Sequence, residues 1–376
     1  MPQELQEQKE PQLPLHQEQQ QSPILSSEQI QSFITDGVLV VDNVLSYDEI
    51  VTARTGLHDT LFNKYNVDTT NLYHTGHLLT RLSSTNGSGG VLDIYYEPWQ
   101  IQLFATNSKL FHMTTELWKH MYLNDHDFNN KSNNEGFTSS CLDDIANDKK
   151  FMWHPCGSFD YRKGYMYLDR VGYRLPTQLA YDIAVEKQHQ EQQEQSIDHS
   201  SGNNGTTPLA SKKKKKKVFP IQRSLTPHFD CCPSTMYNKT GSSDDDDSTI
   251  IKWRPIQCFI SLTDTLEPNH GGFEAVKGFH QEFHTWSQHQ QSNAKSNVKE
   301  TKSLPAAAPC IGEYTHLRPK EDHDIYQRIQ HIPVSAGSAV FWDNRYVSTK
   351  IILGVTTDLV DVAFLVLVTS HIFSDV

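Results

Sequence analysis

The sequence predicts an α+β, mainly β fold: a double-sheet β sandwich or jelly roll of cupin-like type with N-terminal helices packed on it. Two observations lead there. Helix signals crowd the front of the chain, and the ordered pieces behind them are short runs of β-branched and aromatic residues bounded by turn residues.

The elements follow in order. Residues 1–23 are Gln, Glu and Pro and read as a disordered tail. Ser26 followed by Gln29 forms a capping box for a helix carrying Ile30, Phe33 and Ile34, which Gly37 ends. Val38-Leu39-Val40-Val41 is a short strand. Ser46 and Glu49 repeat the capping signal for a helix through Leu57 and Leu61. Residues 91–125 mix strand and helix signals, with Leu110, Met113, Leu117 and Met121 on one helical face, and 124–150 is polar loop. Residues 165–175, rich in Tyr, Met, Leu and Val, predict a strand closed by Pro176. Trp253–Thr263 and Phe273–Val276 are further strands, the second entered through the turn Asn269-His270-Gly271-Gly272. Gly278-Phe279-His280 opens a helix or loop with Phe283 and Trp286. Ala336-Gly337-Ser338 turns into the strand Ala339–Trp342. One domain is expected from 24 to 376, with low-complexity inserts in surface loops near 187–217, 241–248 and 287–308, and an atypical C-terminus over 346–376. The six lysines at 212–217 are a localisation signal, an anion patch or, within such a tract, a solvated run.

Composition bounds the function. At 376 residues the chain can bury a sizeable core. A formal net charge of -12 and a pI near 5.8 argue against a general nucleic-acid binder. Residues Met1 to Gln21 hold no apolar stretch of signal-peptide type. The longest apolar run, Val362 to Val368, is too short to span a bilayer. Six Cys, none in a Cys-x-x-Cys pair, fit a reduced, cytoplasmic protein. Cys231 and Cys232 read as reactive thiols or as small packing residues, the second being the plainer reading.

The candidate chemistry centres on residues 224–230, Ser-Leu-Thr-Pro-His-Phe-Asp. His228 and Asp230 stand two apart at the end of a strand, where i and i+2 point to one face. An imidazole and a carboxylate so placed can reach one metal ion. A 2-His-1-carboxylate set with open positions is the mark of a non-haem Fe(II) oxygenase. The pattern alone is weak among 19 His, because a histidine is more often a hydrogen-bonded structural residue. Arg170 and Arg174 face an anionic substrate or pair with Asp169 or Asp160. Gln257 is a pocket residue if it shares the pocket-facing layer of its strand. Asp343 reads as a structural residue at a strand end. His270, His280 and His284 lie across a strand, a turn and a helix rather than on one face, which argues against a second metal cluster. His154 reads as a core or rim residue.

Several pieces together carry a family likeness: Leu25 to Leu61, Asp169-Arg170 to Pro176, His228-Phe229-Asp230, Ile256 to His280 and Gly337 to Arg345. The most specific are Asn269-His270-Gly271-Gly272-Phe273 with Gly278-Phe279-His280, and Val340-Phe341-Trp342-Asp343-Asn344-Arg345. In this order they resemble the phytanoyl-CoA dioxygenase superfamily over most of the chain outside the inserts. The resemblance implies a double-stranded β-helix that binds Fe(II) and the cosubstrate 2-oxoglutarate. It implies hydroxylation of a small molecule with release of succinate and CO₂. Carried over, His228 and Asp230 are the first two iron ligands. The family's distal His follows Trp-Asp-Asn-Arg within two or three residues, and its cosubstrate-binding Arg lies about ten further on. Here the His slot holds Ser348, or Val347 if the register slips. No His occurs between His331 and His371, and no Arg occurs after Arg345. Ile351 to Val368 contains no recognisable family strand. Three readings compete: a non-enzymatic relative, an enzyme that recruits a ligand from elsewhere (His371 is the downstream candidate), and a shifted translation of a normal C-terminus. The substrate and the oligomeric state leave no mark in the sequence.

Overall fold

A computed structural model describes residues 23–85, 87, 89–105, 107–122, 164–198, 217–231, 256–268, 271–283, 285–286, 315–344, 348–349 and 360–369. The Asn269-His270 half of the predicted turn, His154, His284, Cys232, Val347, most of the lysine run, and the expected tail and loop 124–150 lie outside the described residues.

The two capped helices form as their sequences dictate. In α1, Ser27–Asp36, the Ser26 hydroxyl accepts from the Gln29 N–H, and the Gln29 side chain accepts from the Ser26 N–H. Gly37 closes it in the left-handed region (φ 74°) with its N–H on the Phe33 carbonyl. Strand β1, Val38–Val41, leads to α2, Tyr47–Tyr65, where Ser46 and Glu49 repeat the reciprocal cap. Then come α3 (Leu72–Thr75), a 3-10 turn (Gly76–Leu82), β2 (Val91–Leu92), α4 (Pro98–Ala105) and α5 (Ser108–Tyr122). Leu110, Met113 and Leu117 are buried, as their helical spacing requires.

Strand β3, Gly164–Arg174, runs into α6, Thr177–Asp198. Here the structure departs from the expectation of a loop beginning near 187. The Gln/Glu-rich stretch up to Asp198 continues the helix, because Gln, Glu and Lys are good helix formers and pair along it, as Gln190 does with Glu186.

The remaining elements are β4 (His228–Phe229), β5 (Ile256–Ser261), β6 (Phe273–Ala275), β7 (Thr315–His316), α7 (His323–Gln327), β8 (Gln330–Ile332), β9 (Ala339–Asp343), β10 (Ser348–Thr349) and β11 (Val360–Thr369). They build two antiparallel sheets. The larger has the order β1-β9-β5-β11-β3-β2 and the smaller β7-β4-β10-β6-β8. Gly271 and Gly272, at φ 95° and 100°, lead into β6; a side chain on Gly272 would strike Thr265.

Alternation along the strands sorts the core into layers. Ile256, Cys258, Ile260, Ala339 and Phe341 face the helices, where Leu57, Leu61 and Trp118 are fully buried. The opposite face of the large sheet carries Val38, Phe259, Val340 and Trp342 onto Phe273, Ala275 and Ile332 of the small sheet. Ring centroids of Phe259, Phe273 and Trp342 lie 5.4–5.8 Å apart and join the sheets. The outer face of the small sheet is closed by Phe229, Phe279, Phe283, Leu317 and Ile325.

The C-terminal stretch without a recognisable family piece takes a central place. β11 pairs with β5 over Ile256–Ser261 and with β3 over Gly164–Arg174. Its sequence is apolar at almost every position, the pattern of a strand with both faces covered rather than one face solvated. Among the described residues, no helix is long and apolar enough to cross a membrane.

Candidate functional site

The small sheet aligns one row of residues across four strands. Ala275 pairs with Ser348, Ser348 with His228, and His228 with His316. Residues directly opposite one another share a face. Ala275 belongs to the layer between the sheets, so His228 faces that inner space. Phe229, next in sequence, turns outward into a cluster with Phe279, Phe283 and Trp286, at centroid distances of 5.3, 5.1 and 4.7 Å. That anchored ring fixes the phase of β4 and hence the direction of both neighbours.

The His228 side chain is 7% exposed and the Asp230 side chain 25%. His228 Nδ1 lies 2.8 Å from the Thr226 carbonyl oxygen. A carbonyl only accepts, so Nδ1 carries the proton and donates. In the neutral ring this leaves the Nε2 lone pair as the outward donor, the usual support for a metal-binding imidazole. Nε2 stands 3.4 Å from Asp230 Oδ1. Two donors about 2.1 Å from one ion and at right angles would stand about 3.0 Å apart. The pair therefore fits a shared ion with a small adjustment.

The third donor is what the row does not bring. Ser348, one of the two residues expected at the slot of a distal histidine, holds the position across from His228 on β10. Among the described residues, no three His, Cys, Asp or Glu converge as a metal set.

On the other side of His228 stands His316, a residue that sequence reasoning did not single out. It follows a long polar insert, and nothing in its local pattern ties it to residue 228. The Leu317 N–H donates to the Pro227 carbonyl at 2.9 Å. The His228–His316 pair is thus a non-hydrogen-bonded one, the type with side chains closest. Burial lowers the His316 pKa from its ordinary value, and His228 lowers it further.

The ends of the two sheets meet beside this half-site. Cys231 Sγ donates to the Asn344 carbonyl at 3.3 Å. Asn344 is 1% exposed, and neither polar atom of its side chain has a hydrogen-bond partner among the described residues. It is a second residue passed over in sequence, where it read only as part of the family-like stretch Val340 to Arg345. Asp343 is fully buried, with its N–H on the Gly37 carbonyl. Cys231 is buried packing rather than an exposed thiol, and burial raises the Cys258 thiol well above its usual range.

The other candidates fall as follows. Gln257 is 6% exposed and alternates with Ile256 and Cys258, so it lies on the inner face with Phe259. Arg170 pairs with Asp169, Nε to Oδ1 at 3.3 Å. Arg174 is buried and donates from Nη1 to the Arg223 carbonyl. Gln257 and Arg174 are far apart: their partners on β11 are Val366 and Val360, which puts them roughly 20 Å from each other along the sheet. His280 is structural; its Nε2 donates to the Ile34 carbonyl at 3.0 Å and its ring packs beneath Gly37.

No family model matches the sequence, and no curated protein matches it. Among solved structures the chain is similar to GlcNAc Inducible Gene 2, GIG2 (DUF1479), from Candida albicans, at 13% identity and a TM-score of 0.48. That likeness covers 92% of this chain and 63% of the other, so the chain spans less than two thirds of the fungal protein. It is also similar to the hypothetical protein JW0805 from Escherichia coli, at 11% identity and a TM-score of 0.45, covering 90% and 67%. A third is HygX from Streptomyces hygroscopicus, solved with nickel and 2-oxoglutarate bound, at 14% identity and a TM-score of 0.36, covering 91% and 87%.

Proposed function

We propose that this chain is an Fe(II)/2-oxoglutarate-dependent dioxygenase of the phytanoyl-CoA dioxygenase kind, acting on a small molecule through an iron site to which the described residues bring two donors, His228 and Asp230. The observation that carries the reading is the convergence of His228 Nε2 and Asp230 Oδ1, with Nδ1 held by the Thr226 carbonyl. The strand order of the two sheets is read as the double-stranded β-helix that the sequence resemblance implies. Iron, when bound with 2-oxoglutarate, supplies the O₂ activation that hydroxylates a C–H bond and releases succinate and CO₂. The chain's own residues have narrower tasks. His228 and Asp230 would hold the ion. The apolar wall of Phe259, Phe273 and Trp342 keeps water from the space between the sheets. The Asn344 amide, at the strand end that Cys231 touches, offers an NH2 and a carbonyl oxygen that no described residue takes up.

A second reading is favoured by one specific observation, the serine across from His228. Ser is a poor ligand for Fe(II), and a protein with this site could bind a small molecule in the same fold without turning it over.

Purified full-length chain supplied with Fe(II), ascorbate and 2-oxoglutarate separates the two. Succinate release above that of His228→Ala supports the dioxygenase. Release no greater than that of the variant leaves the binding protein.

A further inference from the structure

Arg174 ends β3 and is 5% exposed. Strand register fixes the face it occupies. Arg174 pairs with Val360 and Gly172 with Val362; Val362 pairs with Ser261, and Phe364 with Phe259. Alternate residues share a face. Arg174 therefore lies on the face that carries Phe259 toward the small sheet, while Val171 and Tyr173 face the helices.

The guanidinium there is short of partners. Nη1 donates to the Arg223 carbonyl at 3.1 Å, and Nε has no hydrogen-bond partner among the described residues. Elsewhere among the described residues cations stand against carboxylates: Arg170 against Asp169, Arg328 against Glu282, Lys64 against Glu97 and Lys277 against Asp36. Among the described residues no carboxylate pairs with Arg174. Burial alone pulls its pKa down to about 10, so it stays charged at neutral pH. A buried charge without a counter-ion is costly to fold around. A chain that keeps one has a position prepared for an anion.

The location agrees. Ten residues beyond Ser348, where the resemblance expects a carboxylate-binding arginine, the chain has Asp358 and then β11 from Val360, with no arginine. The residue paired with Val360 is Arg174, on the adjacent strand. The Arg223 carbonyl that it touches is five residues before His228.

We propose that Arg174 anchors a carboxylate of the bound ligand, a dicarboxylate of the size of 2-oxoglutarate, from β3 in place of the arginine missing from β11. The identity of the ligand rests on the dioxygenase reading; the unpaired buried guanidinium does not.

Calorimetric titration of the full chain, once in EDTA and once in Mn(II), with 2-oxoglutarate, succinate and 2-oxobutyrate tests this. The last lacks the distal carboxylate. The expected result is binding of the two dicarboxylates, 2-oxobutyrate weaker, and a loss of roughly 10- to 100-fold in Arg174→Met, with Arg174→Lys between. Unliganded Arg174→Met should melt no lower than the parent chain, because an apolar side chain replaces an unpaired charge. Loss of succinate binding in Arg174→Met but not in His228→Ala supports the anchor while leaving iron out of it. Unchanged 2-oxoglutarate binding in Arg174→Met, with loss in His228→Ala, overturns the anchor and leaves the iron reading standing. Absence of binding by all three acids, or a lower melting temperature with unchanged binding, also overturns it.

Discussion

Ser348 on β10 and His228 on β4 are direct partners across two antiparallel strands, at the point where the site lacks a donor. The first prediction follows. Ser348→His should add an imidazole next to Nε2 of His228 and tighten Co(II) or Fe(II) binding. The gain should exceed the roughly 10–100-fold that loss of a mere supporting partner costs a metal site. A metal titration of Ser348→His against the parent chain reads it; equal affinities would show that position 348 does not reach the ion.

Phe229 holds β4 in phase by packing on Phe279, Phe283 and Trp286, and it is fully buried. Phe229→Ala should cost about 3–5 kcal/mol of stability. It should also weaken metal binding, since the direction of both neighbours depends on that ring. Urea unfolding and the same metal titration check the two effects together.

Burial pushes the Glu274 carboxyl up to about 7. Its folded pKa lies above its unfolded value, so the native state holds the proton more tightly. That contribution is full below pH 4.5 and fades as the pH rises through 7. Glu274→Gln should therefore match the parent chain at pH 4 and exceed it at pH 8, by roughly 1–2 kcal/mol after allowance for solvent screening. Unfolding curves at the two pH values decide it; an equal gain at both would point to packing instead.

The cap of α2 supplies a control remote from the site. Ser46→Ala removes the acceptor of the Glu49 N–H and should cost about 1 kcal/mol without changing metal affinity. A change in affinity would mean that helix and site are coupled.

Much of the fold was legible because local signals carried it. The capping pairs Ser26–Gln29 and Ser46–Glu49, the left-handed Gly37 and the strand at Val38–Val41 all form where the pattern puts them. The helix running on to Asp198 was missed because a polar low-complexity stretch looks the same whether it coils or continues a helix. The place of β11 was missed because an apolar run does not name its strand neighbours. The sequence found no recognisable family strand in Ile351 to Val368, and 360–369 pairs with β3 and β5. At the site, the i, i+2 spacing made His228 and Asp230 readable. His316, Asn344 and the register of Ser348 were not, because each depends on which strand lies beside which.

The most direct test of the central claim is a Co(II) titration of the full chain followed by absorbance, with His228→Ala and Asp230→Ala alongside. One equivalent bound by the parent chain, with binding lost in each variant, is the result expected of a His228–Asp230 half-site. Binding that survives both substitutions, or no binding by the parent chain, would contradict it.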